Sequence, residues 1–129
     1  MIIRCTIPAL PPSLNRIVTF NARHKATHPD AVDFQKLALS ILHPYRFYDG
    51  APDELWAICL FLTPDGRRRD LDNLLKVLID AVSASLAFDD SRLKGIYAEK
   101  RMLRGVSAVH LVLSDHRLLN VEAFWADGG

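Results

Sequence analysis

The sequence is poor in cysteine, holding two, Cys5 and Cys59, among 129 residues. Neither sits in a CxxC pair, and no His-Cys metal spacing occurs, which excludes a zinc-finger module. Both lie in apolar, strand-like segments, where buried free thiols of a reducing compartment are expected. No apolar run approaches the roughly 18 to 20 residues that span a bilayer, so no transmembrane helix is expected. The opening MIIRCTIPALPPS lacks the charged start, long apolar stretch and small-residue cleavage site of a signal peptide. A soluble, cytoplasmic protein is the resulting expectation. There is no GxSxG, no phosphate-binding glycine loop and no GxGxxG, so serine hydrolase, NTPase and Rossmann chemistry find no support. The five histidines are scattered, and His24 and His28 would share a face only in a helix, with no third ligand following. A surplus of charge is also missing. Sixteen Lys and Arg face fifteen Asp and Glu, a net charge of +1, which decides nothing about polyanion binding.

What is present suits one packed domain. Half the residues are hydrophobic and 24% are charged, enough for a core and against global disorder. The length is close to the commonest domain size and too short for a large cofactor domain plus a substrate domain. The domain is expected over residues 1–113, with 114–129 as a tail whose Phe124 and Trp125 dock on the body or on a second subunit.

Local patterning gives the elements. RCTIPAL alternates as a strand with Ile3, Cys5 and Ile7 on one face, and Pro11-Pro12-Ser13 stops it. Residues 15–27 are polar and basic and read as a loop. A helix follows, capped by Asp30, with Val32, Leu37, Leu39 and Ile41 or Leu42 as its apolar side, and Pro44 ends it. Leu55 to Thr63 is almost wholly apolar, like a strand buried on both faces. Pro64-Asp65-Gly66 turns the chain. LDNLLKVLIDAVSASL is the clearest helix, with Leu71, Leu74, Leu75, Leu78 and Val82 in one stripe and Asp70 placed to cap it. Lys94–Leu103 and Val106–Leu113 read as two strands joined in a hairpin by Arg104-Gly105. The expected class is α/β (α+β): a small, mixed, mostly antiparallel sheet with two main helices.

Charge is uneven along this order. From Arg67 to Arg104 there are nine Lys and Arg against six Asp and Glu, 9 − 6 = +3. Acids clustered in a basic field suit a metal-dependent enzyme acting on a polyanion, though composition alone favours a solvated surface of mixed charge. Asp72, Lys76 and Asp80 are four apart, within about 80° on the helix. Asp70 enters the same helix, and Asp89-Asp90 follow it in a turn that returns them to the same end if the Ala87 to Ser91 loop lies against the sheet edge. Carboxylates gathered in one pocket repel unless a cation neutralises them. Mg²⁺ takes hard oxygens and keeps waters and phosphate oxygens in its shell. Such ions generate and orient hydroxide for phosphodiester hydrolysis. Lys76 would then serve the transition state, while Arg67, Arg68, Arg69 and Arg92 would hold flanking phosphates. Against this stand bland roles for each residue: a helix cap for Asp70, helical ion pairs for Asp72, Lys76 and Asp80, and turn chemistry for Asp89 and Asp90.

PPSLN near the start, RRRDLDNLLKVLIDA and then FDDSRLKGIYAEK together resemble the RusA family of Holliday-junction resolvases, over roughly Ile7 to Leu113. The DxDNxxK core followed by an Asp and a DDS turn is more specific than DxD alone. The resemblance implies a small homodimeric, Mg²⁺-dependent endonuclease, with Mn²⁺ able to substitute. It further implies paired symmetric nicks in four-way DNA, in DNA recombination and repair, often from a prophage. Carried over by position, the catalytic and metal-binding aspartates are Asp70, Asp72 and Asp90, and the essential lysine is Lys76. Asp80 and Asp89 are supporting acids. Ser13 and Asn15 match the PxSxN element, and Asn15 and Arg16 join Arg67, Arg68, Arg69 and Arg92 as DNA-facing residues. The residues after Asn15 lack the expected aromatic, and the last dozen residues have no counterpart. Rival readings are a nuclease of the same fold acting on forks, flaps or duplex, and an inactive DNA-structure-binding module. A DxD glycosyltransferase would need a larger nucleotide-binding domain than 129 residues provide.

Overall fold

The most apolar stretch of the chain becomes the strand around which the rest is arranged. A computed structural model describes residues 1–12, 18–20, 25–27 and 29–118. In it the strands are β1 (Ile2–Ile7), β2 (Val18–Phe20), β3 (Lys25–Thr27), β4 (Leu55–Thr63), β5 (Leu93–Met102) and β6 (Ala108–Ser114). The helices are α1 (Pro29–Leu42) and α2 (Leu71–Leu86), with short 3-10 turns at His43–Tyr45 and Asp90–Arg92. Four strands form one sheet in the order β1-β6-β4-β5. The β1–β6 and β4–β6 pairs are antiparallel and β4–β5 is parallel. The expected mixed, mostly antiparallel sheet with two helices is therefore observed.

The main core lies between the helices and one face of this sheet. Ile3 and Ile7 of β1, Ala57, Cys59 and Phe61 of β4, and Val109, Leu111 and Leu113 of β6 meet Phe34, Ala38 and Leu42 of α1 and Leu74, Leu78 and Val82 of α2. Strand periodicity explains the selection, since alternate residues share a face. The other residues of β4 point the opposite way, and Ile58 and Leu60 are buried there with Val112, against Leu62 and Leu118. That second cluster is why β4 carries no polar alternation.

Four expectations change. The segment read as a loop contains an antiparallel pair, β2 with β3; the remainder of 13–28 lies outside the described residues, as do His24 and His28. Helix α1 buries Ala31, Phe34, Ala38 and Leu42, whereas Leu39 is exposed, so the buried stripe is offset from the one expected. Asp30 lies in its first turn rather than before it. β5 and β6 are not a hairpin. β4 lies between them, because a strand apolar on both sides is best placed at the centre, whereas LKGIYAEKRM carries the charges tolerated at an edge. The connection from β5 to β6 crosses the end of β4, with Leu103 N–H donating to Thr63 O at 2.8 Å and Gly105 N–H to Pro64 O at 3.1 Å. Of the tail, residues 115–118 are described: Leu118 packs on the outer cluster and Asp115 accepts from the Met1 amine at 2.9 Å. Phe124 and Trp125 lie outside the described residues.

The parallel pair dictates where the acids go. α2 is the crossover from β4 to β5, and a crossover helix runs back along the sheet. Its first residue lies near the end of β4 and its last near the beginning of β5.

Candidate functional site

Asp65 starts the local order. In the Pro64-Asp65-Gly66 turn its Oδ1 accepts from Arg67 N–H at 2.9 Å and from Arg69 Nη1 at 2.9 Å. These bonds, the Arg69 side chain first, hold the Asp65 carboxyl below the usual aspartate range. Arg69 also donates to Arg67 O at 3.4 Å. From the sheet, Lys100 Nζ donates to Arg69 O at 2.5 Å. The segment Arg67–Asp70 is thus pinned to its own turn and to β5 just before α2 begins.

Asp70 occupies the N-cap position, yet its carboxylate accepts no capping hydrogen bond. Backbone geometry alone starts the helix, with Leu74 N–H donating to Asp70 O at 3.1 Å. The expected cap role is not observed, and this carboxylate stays at the surface, 3.7 Å from Arg68 Nε. Asp72 follows in the first turn of α2 and is exposed. Two carboxylates at a helix N-terminus are favoured by the helix dipole, so the fold holds them there without burying them. Lys76 and Asp80 continue the same exposed stripe, one and two further turns along.

The basic residues divide sharply. Arg67 and Arg68 project into solvent, with side chains 77% and 92% exposed, whereas Arg69 is 19% exposed and committed to Asp65. Arg69, expected to hold phosphate, is instead a clamp for the loop. Arg92 donates to Ala51 O at 2.7 Å and Pro52 O at 3.2 Å, and so ties down the far end of the sheet. Ser13, Asn15 and Arg16 lie outside the described residues.

Asp89 and Asp90 do not return to the head of α2. The 16 residues of α2 extend about 24 Å at a rise of about 1.5 Å per residue. Asp89 and Asp90 follow its other end, beside the start of β5. Asp89 has a turn role, since its side chain accepts from Ser91 N–H at 2.9 Å, which also lowers its pKa. Asp90 is exposed. Among the described residues no three His, Cys, Asp or Glu gather as a set able to hold a metal ion. Mg²⁺ is commonly held by one or two carboxylates plus phosphate oxygens and water, a number that Asp70 and Asp72 at the head of α2 could supply.

A cleft of about 910 Å³ opens beside Asp70. Residues 8–12, which follow β1, form one wall. Arg67–Asp70, Asn73 and Leu74 form the other, with Asp30 and Ser107 at the margins. Sequence reasoning gave residues 8–12 no role beyond stopping the strand and opening the PPSLN element, and gave Asn73 none. The signals were present, in the Pro-rich run after β1 and in the Asn of DxDN, but their adjacency is tertiary. Both cysteines are distant from this chemistry. Cys5 and Cys59 each stand opposite Leu111 of β6, on either side of it. Burial pushes the Cys5 thiol up to about 11 and the Cys59 thiol to about 12. No family model matches the chain, and no curated protein is similar to it at a meaningful level.

Proposed function

We propose that the chain is a Mg²⁺-dependent endonuclease acting on branched DNA, a four-way junction above all, and that Asp70 and Asp72 hold the metal. The observation that carries this is the Asp70 carboxylate. It stands at a helix start without capping it, next to Asp72 and two exposed arginines and on the edge of a cleft. The likeness to RusA-type resolvases in RRRDLDNLLKVLIDA supplies the substrate class. Mg²⁺ there would activate water and offset negative charge on the scissile phosphate. Arg67 and Arg68 attract and orient the phosphodiester backbone. Lys76, one turn beyond Asp72, places a positive charge where the phosphate gains charge during hydrolysis. Asp80 lies a turn further along the same exposed stripe.

Asp90 enters this reading under one condition. With about 24 Å of helix between them, Asp90 and Asp70 meet only across two copies of the chain. A homodimer with a two-fold axis matches the symmetry of a four-way junction. It would use Asp90 by seating the β5-start end of one copy against the Arg67–Asp72 end of the other. The incomplete set within one chain also favours a second reading, a module that binds junctions without cutting them.

Cleavage of a synthetic four-way junction in Mg²⁺, beside forked and linear duplex of the same arm sequence and an Asp70→Asn control, separates these readings. Symmetric nicks in the junction, lost in the control, are the expected result. Binding without nicks in Mg²⁺ or Mn²⁺ would establish the second reading, and cutting of forks or duplex alone would change the target. No binding to any DNA would end both.

A further inference from the structure

The cleft beside Asp70 has the size and lining for one unpaired nucleotide, and we infer that it receives the base of a nucleotide displaced from the duplex next to the cleavage point. This rests on the endonuclease reading and names what part of the DNA that site takes in. The volume of about 910 Å³ equals a cube of side about 10 Å, within the about 300–1,000 Å³ of pockets that enclose a small molecule. A paired duplex is a wider rod than that and exposes its bases only as groove edges. A single unstacked nucleotide presents a flat apolar face, a polar edge and a charged phosphate.

The lining offers a counterpart to each. Pro8, Leu10 and Leu74 give an apolar wall, against which a base face packs. Packing on apolar side chains accepts the face of any base. Arg68, 92% exposed, supplies positive charge for the phosphate at the mouth. Asn73 is half-buried in the cleft, and its amide has no hydrogen-bond partner among the described residues. A donor and an acceptor held in one plane suit the edge of a base, as asparagine pairs with adenine. The two walls come from sequence segments some sixty residues apart, and Lys100 with Asp65 holds the arginine wall in place. A junction at its branch point, or any duplex with an unpaired base, supplies such a nucleotide at the lowest cost in lost stacking.

The test measures binding of the full chain with Ca²⁺ in place of Mg²⁺, so that strands are held and not cut. Three fluorescent duplexes are compared: fully paired, carrying one unpaired adenosine, and carrying one unpaired abasic residue. The unpaired adenosine should bind about fivefold or more tightly than the other two, the low end of what one stacked base contributes. Asn73→Ala should reduce that advantage without weakening the fully paired duplex. Arg68→Ala should weaken all three ligands by a similar factor. Equal binding of all three duplexes by the wild type overturns the inference and leaves the endonuclease reading standing. A four-way junction in the same Ca²⁺ buffer is run beside them: failure to bind the junction removes the endonuclease reading and the inference with it, and binding of the junction but of none of the duplexes overturns the inference alone.

Discussion

Asp65 and Asp70 are five residues apart and carry the same group, yet the structure gives them opposite duties. Asp65 is consumed by local order, holding a turn through Arg67 N–H and Arg69. Its pKa lies below the usual value, so its contribution is complete above the ordinary aspartate pKa near 3.9. That contribution is lost as pH falls through the depressed folded value. A carboxyl-resolved NMR titration should therefore place Asp65 below the ordinary aspartate value, and Arg69→Met should return it towards that value. No change in that variant would show that Arg69 does not hold the carboxylate. Asp70 has no such employment. An N-cap side chain that makes its bond contributes about 1 kcal/mol. Because the Asp70 side chain makes none, Asp70→Ala should cost less than about 0.5 kcal/mol while abolishing junction cleavage. Urea unfolding and a nicking assay on one preparation decide this, and a loss above about 1 kcal/mol would restore the cap role.

At the scale of elements, the ends of α2 and β5 hold two adjustable features. Ala87 closes α2 in the left-handed region, with φ 63° and ψ 58°, and is the one non-glycine there among the described residues. Helices commonly end on glycine at such a position. Ala87→Gly relieves the strain of a Cβ but loosens the unfolded chain. The first effect is the larger in this conformation, so a gain of about 0.5–1 kcal/mol is expected in urea unfolding. The other feature is the irregularity at the start of the β4–β5 pair, where the register shifts between Leu55 and Trp56. Trp56 lies across Gly95, and a Cβ there would stand 2.8 Å from Trp56 Cδ1. An indole is rigid and must move as a unit. Gly95→Ala should thus cost about 1–3 kcal/mol and shift Trp56 fluorescence. An unchanged spectrum would mean that the ring is not seated on the strand.

For the whole molecule, the decisive quantity is the length of α2. It puts Asp90 at one end of the sheet and Asp70 at the other, so a three-carboxylate site needs two chains. Asp70→Asn and Asp90→Asn should each be inactive alone. Mixed, unfolded and refolded together, they should regain about a quarter of the wild-type sites, since half the random dimers are mixed and each holds one intact site. No recovery would mean that the acids do not work across two chains. An active Asp90→Asn variant would remove Asp90 from the site altogether. DNA affinity is expected to fall steeply with salt, because phosphate contacts release counterions, and Arg68→Ala should reduce the slope of log affinity against log salt by about 1.

The larger elements were legible in the chain, while β2 and β3 fell in a segment that reads as a loop. β4 and α2 occupy the residues that their patterning indicates, Leu55–Thr63 and Leu71–Leu86, because a long apolar run and a clean helical stripe each have a single way to bury themselves. Ile3, Cys5 and Ile7 share the core face for the same reason. The grouping of Asp70 with Asp72, and the exposed stripe through Lys76 and Asp80, also followed from spacing, since both lie within one helix. What lay beyond the chain order was every relation between elements. Hydrophobic pattern says that β5 and β6 are strands, but not that β4 separates them; that depends on which strand needs two neighbours and two covered faces. Nor does it distinguish Arg68, open to solvent, from Arg69, folded back on Asp65. The sequence by itself determined which residues form the four-stranded sheet, the two helices and the acidic head of α2, because those are set by local geometry and burial period, whereas β2 and β3 carry no such period. Only the tertiary structure decided that the proline-rich wall faces that head and that Asp89 and Asp90 lie a helix length away, because a parallel crossover carries the chain to the opposite end of the sheet.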